Sequence, residues 1–244
     1  KNFRLIKNRM DGKIKLVVLG ATAFPELNEL IKDVNKKYNR YEVIEILDDN
    51  ENLIGSKIEG VKVGGPLNKV SQFPQKIKFV FGIGSHKTRI IRNDILKVLK
   101  LQENRFETLI HPSAKIYSTA IIGTGVIIHP GSVVYNESII GPFSIIFANS
   151  IIGARNIIGK GSLITSLVSL TADVKIGSFS FIGTASSIAD RVEIGPGSLI
   201  SMGSVVSRDV APGSVVFGNP MRILKKVEVS REIINSWNKT KKNK

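Results

Sequence analysis

The stretch LIHPSAKIYSTAIIGTGVIIHPGSVVYNESIIGPFSIIFANSIIGARNIIGKGS, residues 109–162, divides into nine blocks of six without a gap. The same register runs on through Val210 and makes seventeen blocks in all. The second residue of every block is Ile, Leu or Val, from Ile110 and Ile116 through to Ile200 and Val206. The sixth is Ala, Ser or Val everywhere except at Asn156. A period of six matches neither the 3.6 of a helix nor the alternation of an ordinary strand. It predicts a solenoid whose coil is a triangle of three short strands, each sending one aliphatic side chain inward. Seventeen blocks give about six coils. Small sixth residues are expected to let the chain turn each corner, and Gly at the third position (Gly123, Gly141, Gly177) to supply unusual dihedrals there. A β-sandwich also has many short strands, but no loop interrupts this register.

Upstream, residues 13–108 read as a small α/β unit. KIKLVVLG (residues 13–20) predicts a buried strand ending in a turn at Gly20, and Pro25 to Tyr38 has a helical pattern. A second strand, YEVIEILDD (residues 41–49), ends at Asp48 and Asp49, about where a βαβ unit places an acid near a ribose. KFVFGIG (residues 78–84) gives a third strand, with a helix expected to follow through Leu101. Strand ends that meet helix starts can hold phosphate. The loop LGATAF has a single Gly, short of a Gly-rich fingerprint, so a purely structural cap stays open. The expected organisation is a basic leader (1–12), a Rossmann-like domain (13–108), the β-helix domain (109–226) and a basic tail (227–244). In that tail Ile233, Ile234 and Trp237 stand at helical spacing.

The 244 residues include 35 Lys+Arg and 20 Asp+Glu, a net charge of +15. Residues 1–15 hold six Lys/Arg against Asp11, and residues 221–244 hold eight against Glu228 and Glu232, so the ends carry most of the excess. Charge placed in this way predicts at most a weak contact with an anionic surface, and no aromatic-studded basic platform points to specific nucleic-acid binding. The absence of cysteine excludes disulfides, thiolate zinc sites and thiol nucleophiles. No apolar stretch has the length of a membrane span, and without a signal-peptide pattern the expected location is cytoplasmic.

Four features together are more specific: Asp48-Asp49 after the second strand, Gly82-Ile83-Gly84 with Arg89, LIHPSA opening the repeats, and SMGSVVSRDVAPGSVVFGNPMRI (residues 201–223) closing them. Over about residues 13–226 the chain resembles the hexapeptide-repeat acyltransferases, within them the sialic-acid and bacillosamine (UDP-amino-sugar) acetyltransferase group. The resemblance implies a left-handed parallel β-helix, an exception to right-handed crossover. It also implies a homotrimer with acyl-CoA between neighbours, acetyl-CoA as donor, no metal, and O- or N-acetylation of a sialic acid or nucleotide amino sugar for surface glycans. Carried over, Gly20, Ala21, Thr22, Asp48, Asp49 and Gly84 would hold the sugar substrate. Gly183, Thr184, Met202 and Gly203 would hold the pantetheine arm, and Gly218, Asn219 and Pro220 the adenine end.

The chain departs from the family where chemistry is expected. The family loop GAGGHA reads Gly20-Ala21-Thr22-Ala23-Phe24. The general-base His of the eighth repeat corresponds to Ala154, preceded by Gly153. The family's Asn corresponds to Phe147, a second His to Leu163, and a Gly that meets the thioester carbonyl to Ala172. Among the three histidines, His86 sits in a loop and His111 is expected to orient the first coil. His129 is a weak catalytic candidate, on a different side of the triangle from Ala154 and expected to reach a cleft only through a neighbouring subunit. Two readings therefore stand: an acetyltransferase with altered catalytic residues, and a catalytically inactive trimeric binding or scaffold homologue.

Overall fold

The computed structural model describes residues 12–242, so all but the last residue of the basic leader lies outside the described residues. Seventeen two-residue strands, from Leu109–Ile110 to Val205–Val206, recur every six residues. Within the prism each pairs in parallel with the strands 18 residues before and after it, as Val133, Ile151 and Ser169 do in succession, the end strands on one side only or at an altered spacing. The strands make the three faces of a left-handed β-helix. The first face begins at Leu109–Ile110, continues into Ser214–Phe217 and ends on an antiparallel strand, Arg222–Lys226. The second begins at Lys115–Ile116 and the third at Ile121–Ile122. The final hairpin lies outside the six-residue register and was not anticipated from it.

The second residues fill the prism. Ile128, Val134, Ile140, Ile146 and Ile152 are among the interior side chains, all at most 1% exposed. The sixth residues also point inward. Each of these buried Ser hydroxyls must find a partner, and from Ser132 to Ser186 it does so by donating to a carbonyl 15 residues on, as from Ser132 to Phe147 (2.8 Å) and from Ser138 to Gly153 (2.7 Å), whereas Ser204 donates back to Ser201 O. The exception, Asn156, accepts from Val174 N at 2.7 Å through Oδ1, and its Nδ2 has no partner.

The expected roles at the corners are corrected. The left-handed residue is the fifth of every block from Gly125 to Gly203, at φ near +60° for Glu137, Asn149, Arg155 and Asp173 alike. Third-position glycines serve close approach between coils: a Cβ on Gly159 would lie 2.4 Å from Ser178 N, and one on Gly177 2.3 Å from Pro196 N.

The N-terminal unit has β1 (Ile14–Leu19), α1 (Phe24–Tyr38), β2 (Tyr41–Leu47), β3 (Lys57–Ile58), β4 (Val61–Gly65), β5 (Lys78–Phe81) and α2 (Arg92–Leu99). Sheet order is β3-β4-β2-β1-β5, parallel except for the β3–β4 hairpin. β3 and β4 were missed because VKVGG is too short and glycine-rich to read as a strand. α2 stops before the expected Leu101, closed by Lys100 in the left-handed conformation.

This unit sits on the first face. There even the outward positions Leu109, Ile127, Ile145 and Leu163 are at most 3% exposed, packed with Leu16, Val18, Phe24 and Leu27. Arg92 rivets the two parts. Its fully buried guanidinium donates to the carbonyls of Ile83 and Phe143 and lies 4.8 Å over the Phe81 ring. With no carboxylate beside it, burial pushes its pKa down to about 9. In the tail, α3 (Arg231–Lys242) buries Ile233 and contacts Lys97 through Glu232.

Candidate functional site

Where the α/β unit meets the prism, a cleft of about 490 Å³ opens between the strand ends and the first face. Gly20, Thr22, Asp48, Asp49 and Gly84 line it, together with His129 and Phe147 from the prism. The sequence-derived sugar-site residues are thus brought together, with one exception. Ala21 is buried, and its N–H donates to Asp48 Oδ2 at 2.7 Å.

The two aspartates shape the floor by binding backbone. Asp48 Oδ1 accepts from Asn50 N at 2.9 Å, and Asp49 Oδ1 accepts from Leu67 N at 2.8 Å. Gly20 is obligatory: its φ is +101°, and a Cβ would lie 2.7 Å from the Ile83 side chain. Beyond Gly84 the loop is closed by a reciprocal pair, Ser85 N to Thr88 Oγ1 (2.9 Å) and Thr88 N to Ser85 Oγ (3.1 Å).

His129 lines this cleft within its own chain, which corrects the expectation that it needs a neighbouring subunit to reach one. Its ring stacks on Phe147 at 4.9 Å with an 8° interplanar angle, and Nδ1 lies 3.4 Å from Glu26 Oε1. Burial, with a smaller contribution from His111, pushes the imidazole pKa down to about 4. Desolvation raises that of Glu26. Sequence reasoning passed over Glu26, whose only signal was an acid in the first turn of α1. His111 is structural as expected: Nδ1 lies 2.8 Å from Ser113 Oγ and Nε2 3.2 Å from Asp33.

The residues assigned to the donor gather at the corner that follows the first face. Gly183-Thr184 and Met202-Gly203 occupy successive coils, and Gly203 N donates to Thr184 O at 2.8 Å. Gly218 follows, its N–H donating to Ser204 Oγ at 3.0 Å and its carbonyl accepting from Val205 N. Asn219-Pro220 is a cis bond. Met202 is 70% exposed, and a Cβ at Gly203 would meet nothing within 4 Å, so this shelf is open.

Ala154 lies elsewhere, at the corner between the second and third faces. Its neighbours at 18 residues are Asn136 and Ala172, and the chain of carbonyl contacts from Asn136 O to Arg155 N and from Ala154 O to Asp173 N confirms that stacking. Among the described residues no group of three or more His, Asp and Glu could hold a metal ion, and no helix is long and apolar enough to cross a membrane.

Residues 15–93 match the family model described as the PglD N-terminal domain. Across 87% of this chain and 100% of the other, the fold superimposes on the acetyltransferase domain of PglB from Neisseria gonorrhoeae, solved with acetyl coenzyme A (TM-score 0.75, 25% identity). Perosamine N-acetyltransferase from Caulobacter crescentus, solved with CoA and GDP-perosamine, shares the fold over 89% of this chain and 99% of its own (TM-score 0.73, 22% identity). So does WeeI from Acinetobacter baumannii, over 86% and 99% (TM-score 0.56, 23% identity). No curated protein sequence matches. The chain thus carries a PglD N-terminal domain over residues 15–93, seated on a left-handed β-helix, a fold it shares with the acetyltransferase domain of PglB and with perosamine N-acetyltransferase.

Proposed function

We propose that this protein transfers the acetyl group of acetyl-CoA to an amino or hydroxyl group of a sugar, a nucleotide-linked amino sugar or a sialic acid, in glycan biosynthesis. The observation that carries this reading is the cleft, which joins Gly20, Thr22, Asp48, Asp49 and Gly84 to one prism corner. That corner runs coil by coil from His129 and Phe147 to Gly183, Met202 and Gly203. The sugar nucleotide would rest on the strand ends. The donor would lie along the corner, its pantetheine arm against Gly183, Thr184, Met202 and Gly203 and its adenine end near Gly218, Asn219 and Pro220.

A homotrimer belongs to the proposal. The second and third faces carry outward Ile151, Ile121, Ile139 and Ile157, each 39–59% exposed, apolar rows that a second copy would cover. Light scattering should give three times the 26.7 kDa chain mass. The double substitution Ile139→Asp and Ile157→Asp should shift it toward the monomer.

Ala154, Phe147, Leu163 and Ala172 favour a second reading, a trimeric binding or scaffold protein without turnover. Calorimetry with acetyl-CoA, followed by nucleotide amino sugars and detection of free CoA, separates the two. Binding with thiol release supports transfer, binding alone supports the scaffold, and no binding removes the donor from both.

A further inference from the structure

We propose that His129, stacked on Phe147 and flanked by Glu26, is the general base for acetyl transfer in this chain. This rests on the transferase reading above and supplies the group that Ala154 cannot.

The third residues of the first-face blocks form one line down the prism: His111, His129, Phe147, Thr165, Gly183 and Ser201, one coil apart. At a strand spacing of about 4.8 Å, four coils from Ser201 to His129 span on the order of 19 Å. A donor arm lying on Met202-Gly203 and Gly183 and rising along this line delivers its thioester beside Phe147 and His129. The same two side chains form the wall of the cleft whose floor is Gly20, Asp48 and Asp49. An acceptor on that floor and a thioester on that corner therefore meet at His129.

The surroundings of the ring suit the task. Phe147 fixes its plane. Glu26 Oε1 stands 3.4 Å from Nδ1, so a carboxylate flanks that side of the ring. Nε2 makes no hydrogen bond among the described residues and is left to accept a proton. The other histidines lack this combination, since His111 is engaged at both nitrogens and His86 packs edge-on to Phe181, 6.1 Å away. The titratable and charged groups around His129 are Glu26 on α1, His111 on the coil above with its partner Asp33 on α1, and Asp48 and Asp49 across the cleft. Burial keeps the imidazole neutral, the form that can take a proton.

The step balances as follows. The acceptor nitrogen of a neutral amine attacks the thioester carbonyl carbon, and a C–N bond forms as the C–S bond breaks. Nε2 takes the proton from the attacking nitrogen, and the imidazolium returns it to the departing thiolate. The products are the acetamido sugar and free CoA.

The test measures thiol release from acetyl-CoA with UDP-, GDP- and dTDP-linked 4-amino-4,6-dideoxyhexoses. His129→Gln should lower kcat at least about 100-fold while the KM for acetyl-CoA moves less than about threefold. Glu26→Gln, at a side chain 60% exposed and so harmless to folding, should lower kcat about tenfold and move the acid limb of the pH profile. Unchanged kcat in a folded His129→Gln protein overturns the assignment and leaves the transferase reading standing. If that variant does not fold, an unchanged rate and profile for Glu26→Gln overturns it instead. No thiol release by the wild type with any of the three sugars overturns the transferase reading, and this inference with it.

Discussion

Arg155 and Asp173 face each other across one coil, with Nε and Nη2 each 2.7 Å from a carboxylate oxygen. This bidentate pair lies beside Ala154, at the corner where the resemblance puts the family's base. Both side chains are more than a third exposed, so the pair knits the corner without much stabilising it. The place is taken by a structural contact. Ala154→His is therefore expected to change kcat by less than about threefold while His129 is present, against the 10²–10⁴ typical of a general base. Thiol-release kinetics decide this, and a gain of tenfold or more would locate the chemistry at the Ala154 corner.

His129 should also leave a signature in stability. Its pKa is about 4 in the native state against 6.5 in its absence of burial, so the native state binds the proton less readily than the unfolded chain. No stability is lost through this group above about pH 6.5, and the loss grows as pH falls, reaching about 3 kcal/mol near pH 4. Urea unfolding at pH 7 and 4.5 should show the wild type losing about 2 kcal/mol more than His129→Gln. Equal losses would mean that the ring is not held neutral.

Arg92 joins the two parts of the chain. Arg92→Ala strands the carbonyls of Ile83 and Phe143, which accept from its guanidinium. The expected cost is about 3 kcal/mol in denaturant unfolding, with the α/β unit becoming sensitive to protease first. A cost below about 1 kcal/mol would show that the rivet is redundant.

Two glycine substitutions should separate the two kinds of corner position. Gly159→Ala drives a Cβ to within 2.4 Å of the next coil's backbone and is expected to lower stability by more than about 2 kcal/mol. At Gly203 nothing lies within 4 Å of a Cβ, and only the φ of +67° opposes alanine, a cost of about 1 kcal/mol. Equal effects in thermal melts would contradict the division of labour between third and fifth positions.

Legibility in the sequence followed the strength of the pattern. Ile128, Val134 and their successors occupy the interior as the six-residue period requires, because a solenoid repeats one environment and a single rule covers every coil. The fifth-position turns were not legible. Glu137, Arg155 and Leu167 adopt φ near +60° although none favours it alone, since neighbouring coils impose that conformation. The floor of the cleft was readable because strand ends pointed to a site there and the family resemblance then named Gly20, Asp48, Asp49 and Gly84. The pairing of Glu26 with His129, 103 positions apart in the chain, depends on how the α/β unit sits on the first face, and no local motif encodes it.

The seating of that unit has a consequence for growth. A triangular prism with three apolar faces could add neighbours on every side and spread into a two-dimensional lattice. Here Leu109, Ile127, Ile145 and Leu163 are covered from within the chain, so two faces remain. Two different patches are the number a head-to-tail ring requires, one to offer and one to receive, and a ring that closes leaves nothing for a further copy. In the proposed homotrimer the α/β unit is then a stopper on polymerisation as well as a wall of the cleft.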